Sequence, residues 1–201
     1  MDKKIILITG ATDGIGKEAT KNLAKQGHKI IIQGRNPEKI KKVIEEIKSE
    51  NKEADLDSAV ADLLSFKQMK IMCGELLKKY DHLDVLVNNA GAVFDVERKL
   101  TEDGEERTFQ LNVYAPFLLS HLLLPIIQKS KSGRIVFEGS SSHRVSRQPD
   151  LNDMKCEKEY DGQGNYNLSK LYLIWIMRHF DKYLKKKEYI MLLQMLHILG
   201  W

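Results

Sequence analysis

Residues 5–16 read IILITGATDGIG. Ile5, Ile6, Leu7 and Ile8 form a short, mostly β-branched apolar run, the pattern of a buried strand. Glycines follow at 10, 14 and 16, and then Ala19, Leu23 and Ala24 fall on one face of a helix. A strand, a tight glycine turn and a helix together make an anion site. Backbone N–H groups and the positive helix end point at whatever lies above the turn, and glycine leaves no Cβ in the way of a phosphate. The stretch therefore predicts a site for a nucleotide pyrophosphate.

The pattern around it alternates strand and helix, which predicts right-handed crossovers and a parallel sheet. Lys29–Gln33 reads as a second strand, broken by Gly34-Arg35-Asn36-Pro37, and Pro37 suits the first turn of an amphipathic helix running to about Glu50. A weak third strand is expected at Ser58–Ala61. A helix over Ser65–Lys79 follows, with Ser65 as N-cap. Leu83–Asn88 is a fourth strand leading into the small-residue turn Asn89-Ala90-Gly91, and 92–103 is loop. One long buried helix with a kink at Pro116 is expected over Gly104–Lys129, a fifth strand over Gly133–Gly139 and a last helix over Asn165–Lys187. The fold class is thus α/β, a Rossmann-like doubly wound parallel sheet with helices on both faces. Residues 1–187 make one domain, and 188–201 form a divergent apolar tail.

With 201 residues, 42% of them hydrophobic and 30% charged, the chain is long enough for a sizeable core. A net charge of +4 is too small to argue for nucleic acid. The basic run Lys182–Lys187 reads as the solvated end of a helix. Cys73 and Cys156 have neither metal-ligand nor disulfide-framework spacing, so no metal site is expected. Together with the lack of a leader before the first strand, this points to a reducing, cytoplasmic setting. No continuous apolar run reaches the roughly 18 residues of a transmembrane segment.

Four motifs now stand in order: TGATDGIG at 9–16, NNAG at 88–91, an Asn at 112 within LNVYAPF, and YNLSK at 166–170. In this the chain resembles the classical short-chain dehydrogenase/reductase family over residues 1 to about 187. LTEDG at 100–104, PFLLSHLLLP at 116–125 and SSSH at 140–143 are most similar to its retinol dehydrogenase-like group. The resemblance implies that Gly10, Thr12, Asp13, Gly14, Ile15 and Gly16 line a nicotinamide cofactor, that Asp62 and Leu63 contact its adenine, and that Asn88 and Gly91 lie on its ribose side. An NAD site needs a carboxylate after the second strand for the ribose 2′-OH. Here that strand ends Gln33-Gly34-Arg35, and a guanidinium suits a 2′-phosphate. NADP is therefore expected over NAD.

Tyr166 and Lys170 are spaced i, i+4 and share a helix face. Tyrosine is a poor acid or base near neutrality unless a neighbouring ammonium favours its phenolate. The resemblance makes Tyr166 the proton donor or acceptor, with Lys170 also on the nicotinamide ribose. It makes Ser140, or Ser141 if the register slips by one, the hydroxyl on the substrate oxygen. It gives Asn112 a water that links the lysine to solvent. The implied function is an NADP-dependent oxidoreductase acting on a small-molecule alcohol/carbonyl pair, a retinoid- or lipid-like aldehyde or ketone, with a homo-oligomer left open.

Two departures stand against this pattern. Glu138 lies in the fifth strand where relatives carry an apolar residue, and a carboxylate there is costly unless paired. The tail EYIMLLQMLHILGW lacks the Pro-Gly turn and substrate segment with which the family continues. It is expected either to add a sixth strand or to cap the sheet as a helix, with association to a membrane surface open. The competing reading is a truncated, catalytically impaired nucleotide-binding or interaction protein of the same fold.

Overall fold

The computed structural model describes residues 2–94, 97–158 and 160–187, and the backbone of 192–198. Six parallel strands form one sheet in the order β3-β2-β1-β4-β5-β6. They are β1 Ile5–Ile8, β2 Lys29–Gly34, β3 Leu56–Val60, β4 Val85–Asn88, β5 Arg134–Ser140 and β6 Leu192–Ile198. β1 lies between β2 and β4, with Ile6 opposite Ile30 on one side and Val85 on the other. The chain therefore winds outward in both directions from β1, and a crevice opens at the carboxyl ends of the strands where the order reverses.

Strand alternation divides the core. Leu7, Ile31, Leu86, Ile135 and Phe137 pack on one face with α3 (Phe66–Lys79), α5 (Ala115–Ile127) and α6 (Gly162–Lys186). Ile6, Ile8, Ile30 and Ile32 face the other way, against α1 (Gly14–Lys25) and α2 (Pro37–Glu50). Both faces of the central strands are apolar because both are covered, which is why they read as unbroken runs.

Caps set several boundaries. Asp13 accepts from Gly14 N at the start of α1, Asn36 accepts from Glu38 N and Lys39 N before Pro37, and Ser65 accepts from Gln68 N. α6 begins three residues earlier than Asn165, because Asp161 accepts from Gln163 N and Gly164 N. β3 spans Leu56–Val60 rather than Ser58–Ala61, in register with β2 from Ile30 to Gly34.

The expected single helix over Gly104–Lys129 is a composite. A short α4 (Arg107–Phe109) leads into a π turn, Gln110–Tyr114, and then α5. The irregularity lies immediately ahead of Pro116, whose ring and missing N–H cannot join the i→i−4 ladder to Asn112. The stretch Arg107–Ile127 is also, by length and composition, long and apolar enough to cross a membrane, with 61% of its most apolar window buried inside the fold. Gln110, Asn112 and Ser120 interrupt any continuous apolar run there, while the averaged hydropathy stays high. The tail adds a strand: β6 runs parallel to β5, with Glu138 opposite Leu196 and Ser140 opposite Ile198. The remaining tail residues, 188–191 and 199–201, lie outside the described residues.

Candidate active site

A groove of about 470 Å³ opens over the β1–α1 turn. Gly10, Thr12, Asp13, Gly14, Ile15 and Gly16 line it, together with Arg35, Asp62, Leu63 and Gly91. All ten of these come from the sequence expectation. Gly10 (φ +63°) and Gly14 (φ +50°) adopt backbone that favours glycine, and a Cβ on Gly14 would have nothing within 4 Å. That open space lies above the N-terminus of α1, which fits a pyrophosphate. Gly16 has a different reason. A Cβ there would stand 2.5 Å from Asn89 Nδ2 and 2.7 Å from the Gly10 carbonyl oxygen. Arg35 is exposed at the mouth, one residue past β2.

Asn88 is placed elsewhere. It is 2% exposed and its Nδ2 donates to Ser120 Oγ at 3.2 Å, below the groove. Its neighbour Asn89 lines the groove instead and donates through Nδ2 to the Thr9 carbonyl oxygen at 2.8 Å. Strand alternation holds the signal for this swap. The last strand residue, Asn88, turns its side chain into the core, and the next residue turns outward.

The second group gathers where α6 meets the ends of β4 and β5. Asn112, 1% exposed in the π turn, donates to the Ala92 carbonyl oxygen at 3.1 Å and to Ser169 Oγ at 3.0 Å, and accepts from Ala92 N at 3.1 Å. A Cβ on Gly91 would stand 3.3 Å from Asn112 Oδ1 and 3.5 Å from Lys170 Nζ. Lys170 Nζ lies 5.6 Å from the Tyr166 ring centroid and donates to the Glu138 carbonyl oxygen at 2.8 Å. Gly91, Asn112, Tyr166 and Lys170 thus come together. Ser140 closes β5 two residues beyond Glu138. Its Oγ is 2.8 Å from Ser142 Oγ and accepts from Ser142 N, capping the 3₁₀ turn Ser141–Val145 that packs against α6.

Burial shapes the charges. Lys170 is 4% exposed, and desolvation pushes its pKa down to about 8, with the Glu138 charge opposing that shift. Burial raises the Glu138 carboxyl, with the Lys170 charge acting the other way, and Glu138 Oε1 is buried with no hydrogen-bond partner among the described residues. The thiols of Cys73 and Cys156 are free, buried and pushed up by desolvation to about 12 and about 11. Among the described residues no group of three or more His, Cys, Asp or Glu could hold a metal.

A doubly wound parallel sheet with a glycine-turn groove at its strand-order switch defines a dinucleotide-binding fold of the Rossmann class. The chain belongs to the short chain dehydrogenase family, whose model matches residues 4–149, and within it to the retinol dehydrogenase-like group. The family binds a nicotinamide cofactor. Human polyprenol dehydrogenase is 34% identical over 185 residues, 90% of this chain and 56% of that protein. Retinol dehydrogenase 13 of Mus musculus is 34% identical over 172 residues, 85% of this chain and 51% of that protein. The chain thus spans about half the length of these curated relatives. A solved structure from Escherichia coli CFT073, described as a short chain dehydrogenase complexed with NADPH, superposes with a TM-score of 0.79. It is 28% identical, and the match covers 100% of this chain and 78% of that one.

Proposed function

We propose that this chain is an NADP-dependent oxidoreductase that interconverts an alcohol and a carbonyl compound of retinoid- or lipid-like character. The observation that carries the cofactor reading is the groove mouth. Arg35 stands where an NAD site needs a carboxylate, and the adjoining turn, Gly10 to Gly16, is open to a pyrophosphate. The NADPH-bound neighbour supports the same choice, and the names of the polyprenol and retinol dehydrogenases support the substrate class. Two free buried cysteines accord with a reducing, cytoplasmic compartment.

The bound cofactor supplies or accepts a hydride. Tyr166 moves the proton at the substrate oxygen, giving it to the carbonyl in reduction and taking it from the alcohol in oxidation. Lys170 places a positive charge beside the Tyr166 ring and holds the ribose hydroxyls. Ser140 donates to the substrate oxygen as charge develops there. Asn112, through Ala92 and Ser169, holds the backbone around Gly91 and keeps the lysine's surroundings polar.

The test is a fluorescence titration with NADPH and NADH, followed by turnover with a panel of aldehydes and ketones. NADPH is expected to bind more tightly than NADH, Arg35→Asp to reverse that order, and Tyr166→Phe to abolish turnover. An unchanged NADPH affinity in Arg35→Asp overturns the cofactor choice. NADPH binding without turnover favours the impaired nucleotide-binding reading, towards which the buried Glu138 carboxyl points.

A further inference from the structure

The last residue of β2 before Gly34 is Gln33, a polar side chain only 1% exposed. Its amide is used at both ends. Oε1 accepts from Gly10 N at 3.2 Å, and Nε2 donates to the Ala61 carbonyl oxygen at 2.8 Å. Its backbone carbonyl accepts from Ala11 N at 3.0 Å. One side chain therefore ties together three chain segments, each of which carries a wall of the groove: the glycine turn after β1, the end of β2 leading to Arg35, and the end of β3 leading to Asp62 and Leu63. The fit is close. A Cβ on Gly34 would stand 2.7 Å from the Thr12 methyl carbon, so β2 lies flush against the turn.

We propose that Gln33 is a positioning residue for the adenosine half of the dinucleotide, setting the spacing of the β1 turn, Arg35 and Asp62–Leu63 before the cofactor arrives. The inference rests on the cofactor reading above. Gly10 takes a left-handed backbone with φ +63°, and Gln33 Oε1 accepts from its N–H. Replacing Gln33 by an apolar side chain leaves the part-buried Gly10 N–H and the buried Ala61 carbonyl without this partner, and a buried polar group without a partner is expensive. The turn and the β3 end relieve that cost by moving towards water, and the movement widens the mouth where the 2′-phosphate and adenine would sit. The nicotinamide end, built on β4, β5 and α6, shares no hydrogen bond with Gln33 and keeps its geometry.

The test uses Gln33→Met, which keeps the length and removes the hydrogen bonds. Binding is measured for NADPH, 2′,5′-ADP and ADP-ribose, with steady-state turnover alongside. The expected result is a loss of about tenfold or more in affinity for all three ligands, since each unmet buried group is worth about one decade. In turnover the loss falls on KM for NADPH rather than on kcat. Wild-type affinities for all three in a folded variant overturn the proposal. So does an equal loss in kcat, which marks a merely structural role. If Gln33→Met fails to fold, Gln33→Glu replaces it: it keeps an acceptor for Gly10 N but sets a carboxylate against the Ala61 carbonyl. A loss shared by NADPH and ADP-ribose then supports positioning, whereas a loss confined to ligands with a 2′-phosphate reads as charge repulsion and overturns it. A wild-type protein that binds none of the ligands overturns the cofactor reading and this inference with it.

Discussion

The ammonium of Lys170 donates to the main-chain carbonyl oxygen of Glu138 at 2.8 Å, across the junction of α6 and β5. The contact satisfies one of the three ammonium protons of a lysine that is 4% exposed. Desolvation dominates, and the pKa falls to about 8 from its usual 10.5. The folded protein therefore bears a cost of charging Lys170 that the unfolded chain does not.

Lys170→Met removes that cost. Below pH 8 the variant is expected to be the more stable, by up to roughly 3 kcal/mol less the lost hydrogen bond. Between pH 8 and 10.5 the wild-type lysine loses its proton in the folded state while the unfolded chain keeps it, so wild-type stability rises and the gap closes. Denaturant unfolding of both proteins at pH 7 and pH 10.5 checks this. A gap that stays constant with pH refutes it. Turnover is expected to be lost in Lys170→Met at every pH.

Glu138→Val removes a buried carboxyl oxygen that has no partner among the described residues. A gain of about 1–2 kcal/mol is expected at neutral pH. Burial raises the Glu138 pKa, so ionising it costs the folded state more and more as pH climbs from 4.5 through the folded value. The gain is accordingly small near pH 4 and largest near neutrality. The Glu138 charge also holds Lys170 up, so in Glu138→Val the alkaline fall in turnover moves to lower pH. Thermal unfolding at pH 4 and 7 and a pH–rate profile test both parts, and a less stable variant at pH 7 contradicts the first.

Gly16 and Gly14 separate packing from conformation. Gly16→Ala drives a Cβ to 2.7 Å from the Gly10 carbonyl oxygen, so the turn must shift, and a loss of about 2 kcal/mol or more with loss of cofactor binding is expected. Gly14→Ala meets no atom within 4 Å and bears only its left-handed backbone, about 1 kcal/mol. Chemical denaturation ranks the two, and the reverse order disproves the packing argument.

Asn112→Ala strips the Ala92 N–H, the Ala92 carbonyl and Ser169 Oγ of a shared partner. The two Ala92 groups are part-buried and Ser169 Oγ keeps its bond to the Tyr166 carbonyl oxygen at 2.7 Å, so the loss should be about 1–2 kcal/mol. Turnover should fall further than cofactor affinity, because the disturbed segment lies at Gly91 and Lys170. Parallel unfolding and binding measurements decide it.

The parallel sheet and the cofactor turn were legible in local pattern. Four apolar residues followed by glycines at 10, 14 and 16 admit few structures, because a covered strand must be apolar throughout and a tight phosphate turn needs glycine where φ is positive or a Cβ would clash. The i, i+4 spacing of Tyr166 and Lys170 likewise placed both on one helix face. Tertiary structure decided what depends on contacts between distant segments. Nothing local to Gln33 says that its amide bridges residues 10 and 61, and nothing local to Glu138 says that its carbonyl receives Lys170 while its own carboxyl is buried. The π turn at Gln110–Tyr114 reads as ordinary helix in the sequence, and although strand alternation puts Asn88 and Asn89 on opposite sides, only the packing of α5, with Ser120 receiving Asn88, made Asn88 the inner one. The tail was open between strand and helix, since a short apolar run fits either. Seven residues of backbone paired with β5 made it a strand. Periodicity specifies elements because it acts over a few neighbouring residues. A buried polar group finds its partner only once the chain has closed around it.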